Sequence, residues 1–264
     1  MVMNCFCYYE HFKDATKESD VFSIKLKNQC IIFGITFSSV FDPQANLTMA
    51  LGFHQPDEIE RNIAHLLQKE IAERANPNRY GDMGYVLHAH DIDFIPASIE
   101  LSGLENILIN TMSRENVLKS FISAHKDNYD YILIDCMPSL NILTVNAFTA
   151  SDEIIIPVQP QYLSVKGLEL LLGSISSVKA NLNPYLKIAG IVTTMFDKRS
   201  AIQKRAIEIM RNNYGGYIKI FDSVIPMSVK VSDNQSRGLT MAEEKNNNVT
   251  DEYANLAKEL LRDE

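Results

Sequence analysis

Short, continuously apolar segments alternate with amphipathic segments along most of the chain. YILID and DEIIIPV lack the polar alternation of a half-exposed strand, so they are typical of strands buried on both faces. Residues 57–75 and 114–126 place apolar side chains at helical spacing. This alternation predicts an α/β fold, with a mostly parallel twisted sheet and helices on both faces. Further strands are predicted in DIDFIPAS and LKIAGIVTTMF, and further helices at 143–150, 163–180, 202–212 and 251–261.

Size, charge and cysteine content narrow the class of protein. A chain of 264 residues that is 46% hydrophobic can form one large domain with a substantial core. The net charge of −8 argues against a uniformly basic nucleic-acid binder. The four cysteines lack zinc-site spacing and are interpreted as reduced thiols. No signal peptide is apparent, and the longest strongly apolar run, Cys30 to Phe37, is too short to span a bilayer. We therefore expect a cytoplasmic protein with no membrane association.

The first 40 residues have a different pattern from the rest. Phe22, Ile24 and Leu26 alternate with polar residues, and a second β-rich run follows from Cys30 to Phe37. This pattern indicates a β-hairpin through Asn28 and Gln29, which we expect at an edge of the sheet. The sequence thus divides into an N-terminal segment, 1–40, and an α/β domain, 41–264.

Two acidic residues follow predicted strands. Asp135 ends the apolar strand YILID, and a carboxylate there is costly unless it meets a cation or a hydrogen-bonding partner. It can hold Mg²⁺, as in phosphoryl-transfer enzymes, or it can cap the next helix. Asp42 lies in a turn set by Pro43, where it can cap a helix or orient an attacking water. Spacing alone leaves both alternatives open for both residues.

A basic region lies near the C-terminus. Between Asp197 and Arg237 there are eight basic and four acidic residues, which gives +4 on an acidic protein. Such a region can bind a phosphate backbone without reading sequence. Taken alone, it fits a solvated helix face better.

Five ordered segments together point to a known family. They are FDPQANLTMALG, YDYILIDCMPSLNILTVNAF, IIIPVQPQYLSVKGLELL, GIVTTMFDKR and VIPMSVKVSD. In this order they resemble the ParA/Soj partition ATPases, which belong to the ParA/MinD class of P-loop NTPases. The resemblance runs from about Phe41 to the C-terminus. It implies an ATP- and Mg²⁺-dependent homodimer that binds nonspecific DNA on the nucleoid and moves plasmid or chromosome cargo with a ParB-type partner.

The resemblance also implies roles for individual residues near the first two segments. Asp42 matches the switch carboxylate that positions the hydrolytic water. Asp135 matches the Walker B aspartate near Mg²⁺. Pro138 and Ser139 fall in the switch segment that follows it.

The later segments match the base- and DNA-contacting parts of the family. Met195 to Asp197 and Pro226 to Val229 fall where the family surrounds the adenine, which makes Met195, Asp197, Pro226 and Val229 expected nucleotide contacts. Arg199 matches a basic position that the family uses against DNA, and Lys230 is assigned the same role. The resemblance therefore favours DNA binding for the basic region.

The sequence departs from the family most clearly before Phe41. The family begins with a strand and then KGGVGKTT, whose backbone N–H groups, lysines and hydroxyl bind phosphates and Mg²⁺. Here the first glycine is Gly34, and residues 1–33 contain no Gly-Lys-Thr or Gly-Lys-Ser. Smaller departures are Val40 in place of the first Asp of DxDPQ, and Met137 after Cys136. We therefore expect ATP binding and hydrolysis to be impaired.

The origin of this difference has two explanations. The codons for Thr36 to Ser39, shifted by two bases, encode three apolar residues like those that precede DxDPQ in the family, which is compatible with a frameshift. A genuine alternative N-terminus is the competing explanation. Three functions thus remain open: a partition ATPase, a nucleotide-independent DNA- or partner-binding protein on the same fold, and a nonfunctional frameshifted remnant.

Overall fold

The computed structural model describes residues 5–10, 36–73, 84–90, 92–137, 141–239, 241 and 247–261. Eight strands in this part of the chain form one sheet in the order β3-β4-β2-β5-β1-β6-β7-β8. The strands are β1 Cys5–Glu10, β2 Thr36–Phe41, β3 Leu87–Ala89, β4 Ile92–Ile95, β5 Tyr131–Cys136, β6 Glu153–Val158, β7 Lys187–Phe196 and β8 Ile220–Pro226.

Nine α-helices accompany these strands in the described residues. They are α1 Asn46–Ala50, α2 Ile63–Ala72, α3 Glu100–Ile109, α4 Val117–His125, α5 Ile142–Ala150, α6 Tyr162–Asn181, α7 Ala201–Tyr214, α8 Val229–Ser236 and α9 Asn248–Leu261. Short 3-10 helices occupy Pro56–Glu58, Arg114–Asn116 and Lys126–Asn128. No described helix has both the length and the apolar composition needed to cross a membrane.

Six of the eight strands run in one direction. β2 pairs in parallel with β4 and β5, and β7 pairs in parallel with β6 and β8. β3 is antiparallel to β4, and β1 is antiparallel to both β5 and β6. The predicted α/β class with a mostly parallel sheet is confirmed. Its strands β5 and β6 are buried along nearly their whole length, as their continuous apolar sequences predict.

The predicted helices are present, with ends set by local capping. The segment predicted as a helix from residue 57 becomes regular only at Ile63, because the Asn62 side chain accepts hydrogen bonds from the N–H groups of Ala64 and His65. Asn141 and Ser200 cap α5 and α7 in the same way. The sequence analysis did not predict α3 and α8, and it included α1 only as a helix that Asp42 could cap.

The N-terminal segment enters the sheet near its centre. The predicted hairpin turn at Asn28 and Gln29, and the strand from Phe22, lie outside the described residues. The parts of this segment that are described, β1 and the start of β2, pair with β5 on its two opposite sides. Both are therefore interior strands, and the edge position predicted for the hairpin stays a prediction.

Candidate functional site

The carboxyl ends of β2 and β5 bring the two predicted acids to the same edge of the sheet. In the parallel register of these strands, Val40 is opposite Asp135 and Phe41 is opposite Cys136. Asp42 follows directly on Phe41, and both acidic residues are only 5% exposed. Ligands of open α/β sheets bind outside the carboxyl ends of the strands, so this is the expected place for a site.

Asp42 is held by a tight turn that leads into α1. Its Oδ1 accepts a hydrogen bond of 2.9 Å from the backbone N–H of Gln44. Its carbonyl oxygen accepts another of 2.9 Å from the N–H of Ala45. One turn further on, the buried hydroxyl of Thr48 accepts a hydrogen bond of 3.0 Å from the N–H of Ala97, which anchors α1 to the loop after β4. The turn therefore fixes Asp42 relative to two neighbouring strands.

Ala45 completes this turn with an unusual backbone conformation. Its φ is 51° and its ψ is 28°, which is the left-handed region that favours glycine. The residue is nevertheless an alanine, and it is 1% exposed. Backbone strain is thus located three residues after Asp42, in the segment that sets the position of the carboxylate.

Asp135 is buried without compensation of its charge. Within the described residues, its Oδ1 has no hydrogen-bond partner. Burial, and then the neighbouring charge of Asp42, raise the pKa of the Asp135 carboxyl to about 8. At neutral pH this group therefore carries a proton in the folded protein. A bound cation would lower the pKa of this carboxyl, because a cation favours the ionised carboxylate.

The ends of β7 and β8 bring a second group of predicted residues together. Phe196 is opposite Pro226 in the register, and the N–H of Met227 donates a hydrogen bond of 3.0 Å to the carbonyl of Phe196. The Nε2 of Gln159, just after β6, lies 2.7 Å from the sulfur of Met195. Apolar side chains are exposed along this rim, including Met195 and Val229. The residues expected around an adenine therefore do share one edge of the sheet.

Asp197 and Arg199 pair with each other at the same rim. Asp197 Oδ1 accepts hydrogen bonds from the backbone N–H of Arg199 at 3.0 Å and from its Nε at 3.2 Å. The backbone hydrogen bond first, and then the side-chain one, lower the pKa of the Asp197 carboxyl. Arg199 and Lys230 are both exposed, as a contact with a phosphate backbone requires. Pro138 and Ser139 lie outside the described residues.

Comparison with known proteins identifies the family. A family model described as an AAA domain matches residues 39–188. The sporulation initiation inhibitor protein Soj of Bacillus subtilis is 37% identical over 223 residues, which cover 83% of each chain. The chromosome partitioning protein ParA of Caulobacter vibrioides is 42% identical over 149 residues, 56% of this chain and 55% of ParA. The chain belongs to the ParA/Soj family of P-loop ATPases.

A solved structure of lower identity has the same fold. Cobyrinic acid a,c-diamide synthase from Mycobacterium smegmatis, in a structure with bound ADP and magnesium, has a TM-score of 0.71 and 26% sequence identity to this chain. The match covers 87% of this chain and 82% of the synthase. The sheet and helices of this ParA-family member are therefore those of nucleotide-binding proteins.

The described residues of this ParA-family chain fit a nucleotide only in part. Asp42 and Asp135 are suited to a cation, and the buried Oδ1 of Asp135 has no hydrogen-bond partner among the described residues. A phosphate-binding loop, however, must leave a strand at the edge where these acids lie. β1 runs the other way: Cys5 is opposite Cys136, whereas Glu10, where β1 ends, is opposite Tyr131 at the start of β5. β1 thus ends at the far edge of the sheet from Asp135, so this strand does not lead directly into a phosphate-binding loop beside that residue.

Sequence reasoning missed the residues that position the acids. The sequence analysis assigned no role to Thr48, whereas its hydroxyl binds the loop after β4. Ala45 gave no signal, because nothing in a sequence marks an alanine in the left-handed region. The contact of Gln159 with Met195 joins residues 36 positions apart, so it depends on the order of strands in the sheet.

Replacing Asp135 with asparagine is expected to change how stability depends on pH. The pKa of this carboxyl is about 8 when folded and about 3.9 when unfolded. The protonated Asp135 therefore makes its full contribution to the free energy of unfolding below about pH 4. Above that pH the contribution falls by about 1.4 kcal/mol per pH unit, until about pH 8. Between pH 5 and pH 8, we expect the free energy of unfolding of Asp135→Asn to rise relative to that of the wild type by about 1.4 kcal/mol per pH unit.

Urea unfolding at several pH values measures this difference. Asp222→Asn, which changes an exposed carboxylate, is the matched control and should track the wild type. A difference between Asp135→Asn and the wild type that stays constant with pH would show that Asp135 is ionised in the folded protein.

Replacing Ala45 with glycine tests the strain in the Asp42 turn. The left-handed conformation costs alanine about 1–2 kcal/mol, and relief of this cost offsets the lost methyl group and the greater freedom of unfolded glycine. We expect Ala45→Gly to unfold within about 0.5 kcal/mol of the wild type. Ala147→Gly, at an equally buried position in α5, should lose about 1.5 kcal/mol or more. Equal losses in the two variants by urea unfolding would mean that Ala45 is unstrained.

Proposed function

We propose that this chain is a partition-type protein of the ParA family that acts on DNA with a ParB-type partner, and in which ATP binding and hydrolysis are impaired. The observation that carries the proposal is the reversed direction of β1 beside the buried Asp135. The relatives named for chromosome partitioning support the partition role. Asp42 and Asp135 correspond to the switch carboxylate and the Walker B aspartate. Without a phosphate cradle, Asp42 would hold the hydrolytic water and Asp135 would hold Mg²⁺ less effectively.

The expected loss of affinity follows from the hydrogen bonds that a cradle supplies. Each charge-assisted bond to a phosphate contributes about 1.5–3 kcal/mol. Losing two of them moves a micromolar dissociation constant to about millimolar or weaker. In the family the homodimer depends on ATP, so we expect this chain to dimerise weakly when ATP and Mg²⁺ are added.

Calorimetric titration of the purified chain with ATP and Mg²⁺ tests the proposed impairment. We expect no saturable binding up to about 1 mM ATP. Asp135→Asn is the control, because it removes the predicted Mg²⁺ ligand and keeps the size of the side chain. Micromolar binding by the wild type that is lost in Asp135→Asn would contradict the proposal and reveal a phosphate site elsewhere in the chain.

A second candidate is DNA binding that needs no nucleotide, and the rim at β7 and β8 favours it. Arg199 and Lys230 are exposed beside the carboxyl ends of these strands, and Lys204 and Arg205 are exposed near the start of α7. The rim therefore concentrates positive charge on an acidic protein. Such a surface binds phosphates through release of counterions and gives a steep dependence on salt.

Anisotropy titrations with a labelled duplex of arbitrary sequence, at several salt concentrations and without ATP, test the DNA interface. We expect Arg199→Ala and Lys230→Ala each to reduce the slope of log affinity against log salt by about 1. Lys187→Ala is the control, because Lys187 is exposed at the start of β7 on the opposite edge of the sheet. Equal effects of all three substitutions would show that the rim is not a distinct interface.

A further inference from the structure

The end of α1 touches the end of α8 through two glycines. A Cβ atom built on Gly238 would lie 3.1 Å from the Cα of Gly52 and 3.8 Å from its backbone nitrogen. The same atom would lie 3.6 Å from Nε2 of His54. The two main chains are thus in direct contact, with no side chain between them. This contact joins the segment that carries Asp42 to the segment that carries Lys230.

Gly238 is suited to this place for two separate reasons. It follows α8 with φ +66°, and the N–H of Leu239 donates a hydrogen bond of 2.9 Å to the carbonyl of Asn234. This is the left-handed C-cap arrangement that favours glycine. The close approach to Gly52 is a second reason. Another residue that tolerates the left-handed conformation, such as asparagine, would still place a Cβ atom against Gly52.

Both partners of the contact are anchored to the body of the protein. α1 is bound at one end by the Asp42 turn and in the middle by Thr48 and Ala97. Gly52 ends it with φ +97°, and its N–H donates to the carbonyl of Met49 at 3.0 Å. On the other side, Asn234 is 2% exposed, and its Nδ2 lies 3.5 Å from the sulfur of the buried Met241. A displacement at either end therefore cannot be absorbed by a loose side chain.

We propose that Gly238 is a positioning residue that makes α1 and α8 move as one unit, so that the Asp42 turn is coupled to the basic residues on and next to α8. The regulatory meaning of this coupling rests on the proposed DNA-binding function. Any ligand or partner that shifts Asp42 would also shift Lys230 and Arg237, which are exposed on or next to α8. Loss of the contact would leave both segments folded but independent.

Hydrogen exchange in a Gly238→Asn variant tests the contact without requiring DNA. Asparagine tolerates the left-handed conformation, so the C-cap of α8 is retained while a Cβ atom is forced against Gly52. We expect amide exchange in residues 41–53 to become about tenfold faster, together with that in residues 229–239, while exchange in α3 and α9 stays unchanged. Gly103→Ala, in α3 with open space around the added methyl, is the matched control.

The salt dependence of DNA affinity then tests whether the contact between Gly52 and Gly238 matters for DNA binding. We expect Gly238→Asn to lower the salt slope of DNA affinity by about as much as Lys230→Ala does. If the asparagine variant does not fold, native-state exchange of the wild type in low urea serves instead, and residues 41–53 and 229–239 are then expected to open with the same free energy. Faster exchange confined to residues 229–239 would overturn the positioning role. Absence of DNA binding by the wild type would instead remove the proposed DNA function, and the exchange result would still decide whether α1 and α8 are coupled.

Discussion

Backbone hydrogen bonding on both sides of β1 holds the sheet together. In the described sheet, β1 lies between β5 and β6, so it joins the strands β3, β4, β2 and β5 to the strands β6, β7 and β8. Without a strand in this position, the N–H and C=O groups along β5 and β6 would lose their partners in the interior of the protein. Residues such as Ile134 and Ile156 in these two strands are fully buried, so the core also depends on this pairing.

The same pairing sets the electrostatics of the candidate site. Phe6 of β1 is opposite Asp135, and Val40 of β2 is opposite it on the other side. The backbone of Asp135 is thereby held in the interior of the sheet, and burial of its carboxyl group raises the pKa to about 8. The protein thus accommodates an acidic side chain in its core by neutralising it.

Periodicity and segment order were sufficient for the fold and for the location of the acids. The apolar runs of β5 and β6 identified central strands, and the ordered family segments singled out Asp42 and Asp135, which the structure brings to one edge of the sheet. β1 was not predicted, and its direction could not have been, because CFCYYE would suit a strand of either orientation. The helix α3 was missed because its start at Glu100 depends on the preceding loop, where the N–H of Ile99 donates to the distant Asp57. Contacts such as Gly52 with Gly238 join residues far apart in sequence, and single-sequence patterns carry no information about them.

The pairing of β1 has a consequence for the strand directions that such a sheet allows. Glu10 and Thr36 are both opposite Tyr131, on the two sides of β5, so the chain leaves β1 and enters β2 at the same edge. A sheet accepts an interior strand in either orientation, because donors and acceptors alternate along both of its sides. Phosphate chemistry has no such symmetry, since it requires a loop that emerges at one particular edge. The sheet can therefore form with β1 in either direction, whereas a phosphate-binding loop after this strand would require one of them.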